Sequence, residues 1–306
     1  MIASVKQQKE PIAESDVCSL FPDFPASALK KPRRYKRILQ PIWTEDKAKF
    51  IQVYLRYFVQ ITKHGAYIDG FAGPQNFDQP NSWAAALVLQ SEPKWLRHFF
   101  LCELRKKSVK ALEALVQEQP RTDTKGRKLQ RKIEICPGDF NTSIDEILKS
   151  QSITQKEATF CLLDQWTFEC HWDTLKKLAG YKQAPNNKIE LLYFLGVGWM
   201  HRAFSGIRKN TEKAEKWWGR PDWRDLKTMP CQDIADLVRK RFERELEYRY
   251  VAAYPIFDKK KGNRVMYYMI HASDHDEAPA LMVCAHNTAV RSLPKEVQQP
   301  LEFDHD

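Results

Sequence analysis

Residues Ala66–Gln75 read AYIDGFAGPQ. An apolar run enters an aspartate, and a turn of small residues with an aromatic and a proline follows at once. A short, wholly apolar run bounded by turn residues is the pattern of a strand buried on both faces, and such strands belong to parallel sheets covered by helices on either side. An acid at the end of that strand, followed by glycines that let a ligand approach the backbone, reads as a binding turn.

Working outward, the pattern repeats. His98–Glu103 (HFFLCE) and Thr159–Asp164 (TFCLLD) are again apolar runs that end in acids, and Asp139 lies just after the short run KIEIC at 132–136. Ile189–Leu195 (IELLYFL) is a further buried strand. Helical periodicity lies between and around them: Trp43–Thr62 with an apolar stripe at Phe50, Val53, Tyr54, Tyr57, Phe58 and Ile61, then Ser82–Gln90, Lys106–Gln117, Asn141–Ser150 and Trp172–Ala179. Strand–helix alternation of this kind predicts an α/β fold of Rossmann-like form, with a mainly parallel sheet. Past the fifth strand the spacing changes. Thr211–Trp218 and Cys231–Tyr250 read as added helices, a helical insertion at about 200–248. Arg249–Phe257 and Arg264–Ala272 read as an antiparallel hairpin across KKKGN, and a last helix runs from about Asp276 to Leu293. Residues 1–28 and 296–306 read as tails around a single domain at 29–295.

The charge balance is +10, and it is clustered. Lys30, Lys31, Arg33, Arg34, Lys36 and Arg37 surround Tyr35, a mixture suited to phosphates and to stacking on a base, or to a solvated lead-in to the first helix. Residues 121–131 form a second basic, polar stretch, read as a loop. The seven cysteines are odd in number, and no pair is spaced CxxC. They predict reduced thiols in a cytoplasmic protein, with neither a disulfide frame nor a metal site. No run approaches the length of a membrane span.

Strand-end acids cap helices often enough that any single one is unremarkable. Four of them on one edge of a parallel sheet, beside a glycine turn, point to a ligand cleft. The turn does not supply GxGxxG, since only Gly70 and Gly73 are present, and a GxxxxGK[ST] phosphate loop is absent. What remains is the acid–aromatic–glycine turn of S-adenosylmethionine-binding sheets. At this point several long stretches resemble one family, the three-Cys-motif partner proteins (TcmP): WTEDKAKFIQVYLRYFVQITKHGAYIDGFAGPQ, CPGDFN, LLDQWTFECHWDTL, WWGRPDWRD and YYMIHASDHDEAPALM. The resemblance covers about 33 to 295 and implies the class I methyltransferase fold. It also implies a separate partner protein carrying three cysteines.

Carried over position by position, the resemblance implies cofactor contacts at Asp69, Phe71, Ala72 and Gly73, a ribose-binding acid at Glu103, and an acid facing the adenine amino group at Asp139. Asp164 matches the acid that in amine methyltransferases accepts from the substrate NH₂, and Phe168 is an aromatic for stacking on the base. The implied activity is S-adenosylmethionine-dependent methylation of a nucleic-acid base amine. Two departures stand out: Gln75 replaces a glycine, and the stretch Asp164–Phe168 lacks the usual prolines. Both favour the alternative of a non-catalytic adaptor, or a nucleic-acid-binding subunit, on a degenerate methyltransferase frame.

Overall fold

The structure is a computed structural model, and it describes residues 42–43, 46–77, 82–184, 186–207, 211–258 and 264–291. The expected tails at 1–28 and 296–306, the basic run 30–37 and the KKKGN turn lie outside the described residues. In chain order the elements are β1 (Ile42–Trp43), α1 (Lys47–Thr62), β2 (Ala66–Asp69), α2 (Ala84–Gln90), β3 (His98–Glu103), α3 (Lys106–Gln117), β4 (Lys132–Pro137), α4 (Phe140–Lys149), β5 (Thr159–Leu163) and α5 (Trp172–Gly180). There follow β6 (Glu190–Leu195), α6 (Val197–Gly206), α7 (Glu212–Trp218), a 3-10 segment (Pro221–Lys227), α8 (Cys231–Arg244), β7 (Tyr250–Asp258), β8 (Arg264–Ser273) and α9 (Ala278–Arg291).

All the described strands join one sheet in the order β1-β7-β8-β6-β5-β2-β3-β4. Only β8 runs against the rest, slotted antiparallel between β6 and β7. This is a Rossmann-like α/β fold. From β2 the chain steps to β3 and β4, then jumps back across β2 to β5 and β6. Strand order therefore reverses between β2 and β5, where the helices that follow the two strands diverge and leave a crevice at the carboxyl edge.

Alternate strand residues feed two cores. Tyr67, Phe99 and Phe160 point to one face, beneath α1, α2, α3 and α9. Ile68, Phe100 and Cys161 point to the other, beneath α4 to α8. The tryptophan cluster of the added helices belongs to the second core: Trp217, Trp218 and Trp223 are all buried. Across it, Arg241 is sandwiched between the rings of Trp172 and Trp218 at 3.6 and 4.1 Å.

Three elements differ from the sequence expectation. α1 begins at Lys47, because Ile42–Trp43 is drawn into a parallel pair with β7. α8 stops at Arg244, because the chain turns through Glu247 at φ 56° and tucks Tyr248 beneath the sheet, where its hydroxyl donates to the Ile189 carbonyl at 2.6 Å. α6 went unseen because glycines at 196 and 198 weaken its helical signal. At Gly198 a Cβ would crowd the Met266 side chain, 2.7 Å from its Cε.

A buried polar cluster fastens α1 to the sheet. Glu190 accepts from Tyr54 Oη at 2.6 Å and Ser273 Oγ at 2.7 Å, with His271 Nε2 at 3.1 Å. Burial pushes the Glu190 carboxyl up, but His271 and the two hydroxyl donors outweigh it and hold the group below its ordinary range. Removing the acceptor strands its partners in the core. Glu190→Ala should cost roughly 3–5 kcal/mol in urea unfolding, whereas an unchanged midpoint would contradict this role.

Candidate active site

The turn after β2 is stitched to strands on both sides of the switch point. Gly70 N–H donates to the Leu162 carbonyl of β5 at 3.0 Å, and Ala72 N–H donates to the Cys102 carbonyl of β3 at 2.8 Å. Asp69 closes the turn on itself, accepting from Phe71 N–H at 3.1 Å and Tyr67 Oη at 2.9 Å. Gly73 is demanded by a close approach: a Cβ there would stand 1.9 Å from Glu103 Oε2 and 2.8 Å from Ser108 Cβ. The Glu103 carboxylate lies folded at the end of β3, accepting the Arg105 amide at 2.7 Å and its Nε at 3.2 Å. Gly138 N–H donates to the Glu103 carbonyl at 3.0 Å, which brings the turn after β4 alongside.

Asp69, Ala72, Gly73, Glu103, Asp139 and Asp164 thus share one edge of the sheet, and Phe71 packs edge-on against Phe140 beside them. Their charges feel one another. Burial, above all, pushes Asp69 up to about 7; Asp164 and Glu103 push the same way, against the Phe71 amide and Tyr67 hydroxyl. Asp139 is exposed and does what a lone strand-end acid does, capping α4 through the Asn141 amide at 2.9 Å.

Two expected transfer residues sit differently from the resemblance. Asp164 is already engaged: Lys47 Nζ lies 2.8 and 2.7 Å from its two oxygens, and Gln75 Nε2 donates to it at 2.9 Å. Lys47 is also buried, with its ammonium over the rings of Tyr267 and Phe194 at 4.6 and 4.9 Å. Phe168 lies inside the core. Its ring is buried between Phe204 and Trp217, each at 4.9 Å, so it has no free face for a base.

From sequence alone, Lys47, Phe77 and Leu104 carry no site role, and in the stretch 164–168, which holds two aromatics, base stacking is assigned to Phe168 and no role to Trp166. Of the four exposed large apolar side chains among the described residues, Phe77, Leu104 and Trp166 follow β2, β3 and β5 at this edge. Trp166 rides on a stiff loop. Gln165 Oε1 accepts from the Glu169 and Cys170 amides, Glu169 accepts from the Thr167 amide, and the Trp166 carbonyl accepts from Trp199 Nε1 at 2.9 Å. Gly196 lets that carbonyl in, since a Cβ there would lie 2.4 Å from it. The signal for Lys47 was present: a cation in the first turn of a helix opposes the helix dipole and calls for a compensating acid.

The edge offers a carboxylate behind a glycine turn, apolar side chains beside it, and a closed ion pair across the crevice. The first two suit a ribose and a planar ring. Among the described residues, no three His, Cys, Asp or Glu side chains gather as a metal set.

No family model matches the chain, and no curated protein sequence matches it. Among solved structures, the methyltransferase domain of bacterial-CtHen1-CN is similar over 74% of this chain and 99% of that one, with 7% identity and a TM-score of 0.41. At that distance the likeness carries no weight for function.

Because the folded protein holds a proton on Asp69 where the unfolded chain does not, this group's contribution to stability is whole below about pH 4. It is lost as pH rises towards 7. Asp69→Asn should remove that part of the decline, so the difference in melting temperature between wild type and variant should grow in the variant's favour from pH 5 to pH 7.5, read by circular dichroism. A difference that stays flat with pH would contradict the burial of an ionisable group here.

Proposed function

We propose that the chain is an S-adenosylmethionine-binding protein of methyltransferase type. The observation that carries this reading is the Glu103 carboxylate held against Gly73 at the switch point, a place a Cβ would fill. Glu103 would accept from the two ribose hydroxyls once Arg105 swings aside, and Arg105 is half exposed and free to do so. Leu104 and Phe77 would flank the adenine, with Asp139 at its rim. The turn Asp69–Gly73 would face the methionine portion. When bound, the cofactor supplies an activated methyl group on its sulfonium, so the chain's own residues have only to bind, orient and exclude water.

The substrate reading is a nucleic-acid base amine, with Asp164 as acceptor and Trp166, in place of the buried Phe168, as the exposed ring for stacking. It is supported by the basic charge balance and by the motif resemblance. That resemblance also supports a three-Cys-motif protein as partner. The second reading, a non-catalytic adaptor, is favoured by one observation: both Asp164 oxygens are taken by Lys47, and one also by Gln75, which leaves the transfer position closed.

Isothermal calorimetry with S-adenosylhomocysteine tests the cofactor step. Binding to the wild type should weaken about ten- to a hundredfold in Glu103→Ala, the cost of a charge-assisted hydrogen-bond pair. Absence of wild-type binding would remove the reading. Asp164→Ala separates the two roles. Methyl transfer to oligonucleotide should vanish while S-adenosylhomocysteine binding persists; if biological activity is untouched, the adaptor reading stands instead.

A further inference from the structure

At the opposite, amino-terminal edge of the sheet, the segment 119–132 forms a short basic hairpin-like turn. Thr122 bridges Lys128, Leu129 N–H donates to the Arg121 carbonyl at 2.9 Å, and Gly126 takes a φ of 74° at the tip. Asp123 is the linchpin. One oxygen accepts the Lys125 and Arg127 amides, and the other accepts Arg127 Nε at 2.7 Å. The acid is therefore consumed in holding the turn, as Glu134 is by Lys132 and Glu92 by Lys94.

That leaves Arg97, Arg121, Lys125 and Lys128 exposed, without an acidic partner among the described residues. Lys132 N–H donates to the Arg97 carbonyl at 2.7 Å, so the turn and the strand start lie side by side. Two further cations converge just behind them: Lys94 Nζ and Arg131 Nη1 both donate to the Leu89 carbonyl at the end of α2, at 2.9 and 3.2 Å. The crowding registers on the groups themselves. Burial first, then the charge of Arg131, holds Lys94 below its ordinary value against the pull of Glu92; burial, with Lys132 and Arg97, does the same to His98 against Glu157 and Glu134.

Beside this cluster stands Trp95, 41% exposed, with Lys63 Nζ 5.2 Å from its ring centre. Protection of the β4 edge from strand pairing explains a cation at Lys132. It does not explain those of the 121–128 turn, which lie off the ladder, nor an exposed indole just before the start of β3. Exposed cations before the starts of two neighbouring strands, with an exposed aromatic on the same sheet edge, suit a phosphate backbone whose bases are free to stack.

We propose that this ridge (Arg97, Arg121, Lys125 and Lys128, with Trp95) is a binding site for single-stranded nucleic acid. It lies at the end of the sheet opposite the cofactor crevice and stands independently of the methyl-transfer reading. A strand seated there is gripped by charge and by one stacked base, without reading of sequence.

The test is fluorescence anisotropy of labelled mixed-sequence single-stranded DNA and RNA on the full chain across a salt series. An Arg121→Ala/Lys125→Ala/Lys128→Ala triple variant should weaken binding about tenfold or more. It should also flatten the slope of log affinity against log salt by about 2, one phosphate contact for each lost cation. Trp95→Ala should weaken binding further, by roughly five- to a hundredfold, without changing the slope. All the altered side chains are exposed, so the fold is retained, and S-adenosylhomocysteine binding should be unaffected, which keeps a failure here distinct from a failure of the cofactor site. The proposal is overturned if the wild type binds neither probe, if affinity and slope are unchanged in the triple variant, or if that variant loses binding only to phosphatidylserine vesicles.

Discussion

The approach of Gly73 to Glu103 governs the carboxyl edge of this sheet. A side chain at 73 would overlap the carboxylate, so the turn after β2 can press onto the end of β3 only because that position is bare. The pressed turn then reaches both neighbours of β2 through the Gly70 and Ala72 amides. Its continuation carries Gln75 across to Asp164. The close contact anchors the turn on β3, and its Gly70 and Gln75 bonds carry it across the switch point to β5 and Asp164. The same packing explains why Asp69 is buried deeply enough to hold its proton near neutrality.

The pair Lys47–Asp164 sits on the other side of that crevice and follows different rules. Burying two charges is costly unless geometry and further hydrogen bonds compensate. Here both carboxylate oxygens are engaged, and the ammonium lies over two rings. The pair pins the first turn of α1 to the edge of the sheet. On the proposed reading an incoming amine would have to displace Lys47 from Asp164 before it could use that acid, which ties the acid's availability to the first turn of α1.

Much of this was legible from residues. The apolar runs ending in Asp69, Glu103 and Asp164 gave the parallel strands, and period alone gave the helices beside them. The shared edge of the acids followed from strand direction. What stayed hidden was set by tertiary packing. Nothing local distinguishes Phe168 from Trp166 as the ring left outside; that depends on Phe204 and Trp217, far along the chain, closing over one and not the other. The role of Lys47 is not legible locally because its partner lies 117 residues away. α6 was masked by two glycines whose purpose, room for the Trp166 carbonyl and for Met266, appears only when the sheet is assembled.

Hydrogen–deuterium exchange of the full chain with saturating S-adenosylhomocysteine reads the crevice directly. Slowed exchange should be confined to amides of 70–77, 103–109 and 138–141, where the turns after β2, β3 and β4 would close around an adenosyl group, with 119–132 unchanged. Protection that falls elsewhere, or none at all at saturating ligand, would mean that the carboxylates converge on this edge for structural reasons alone.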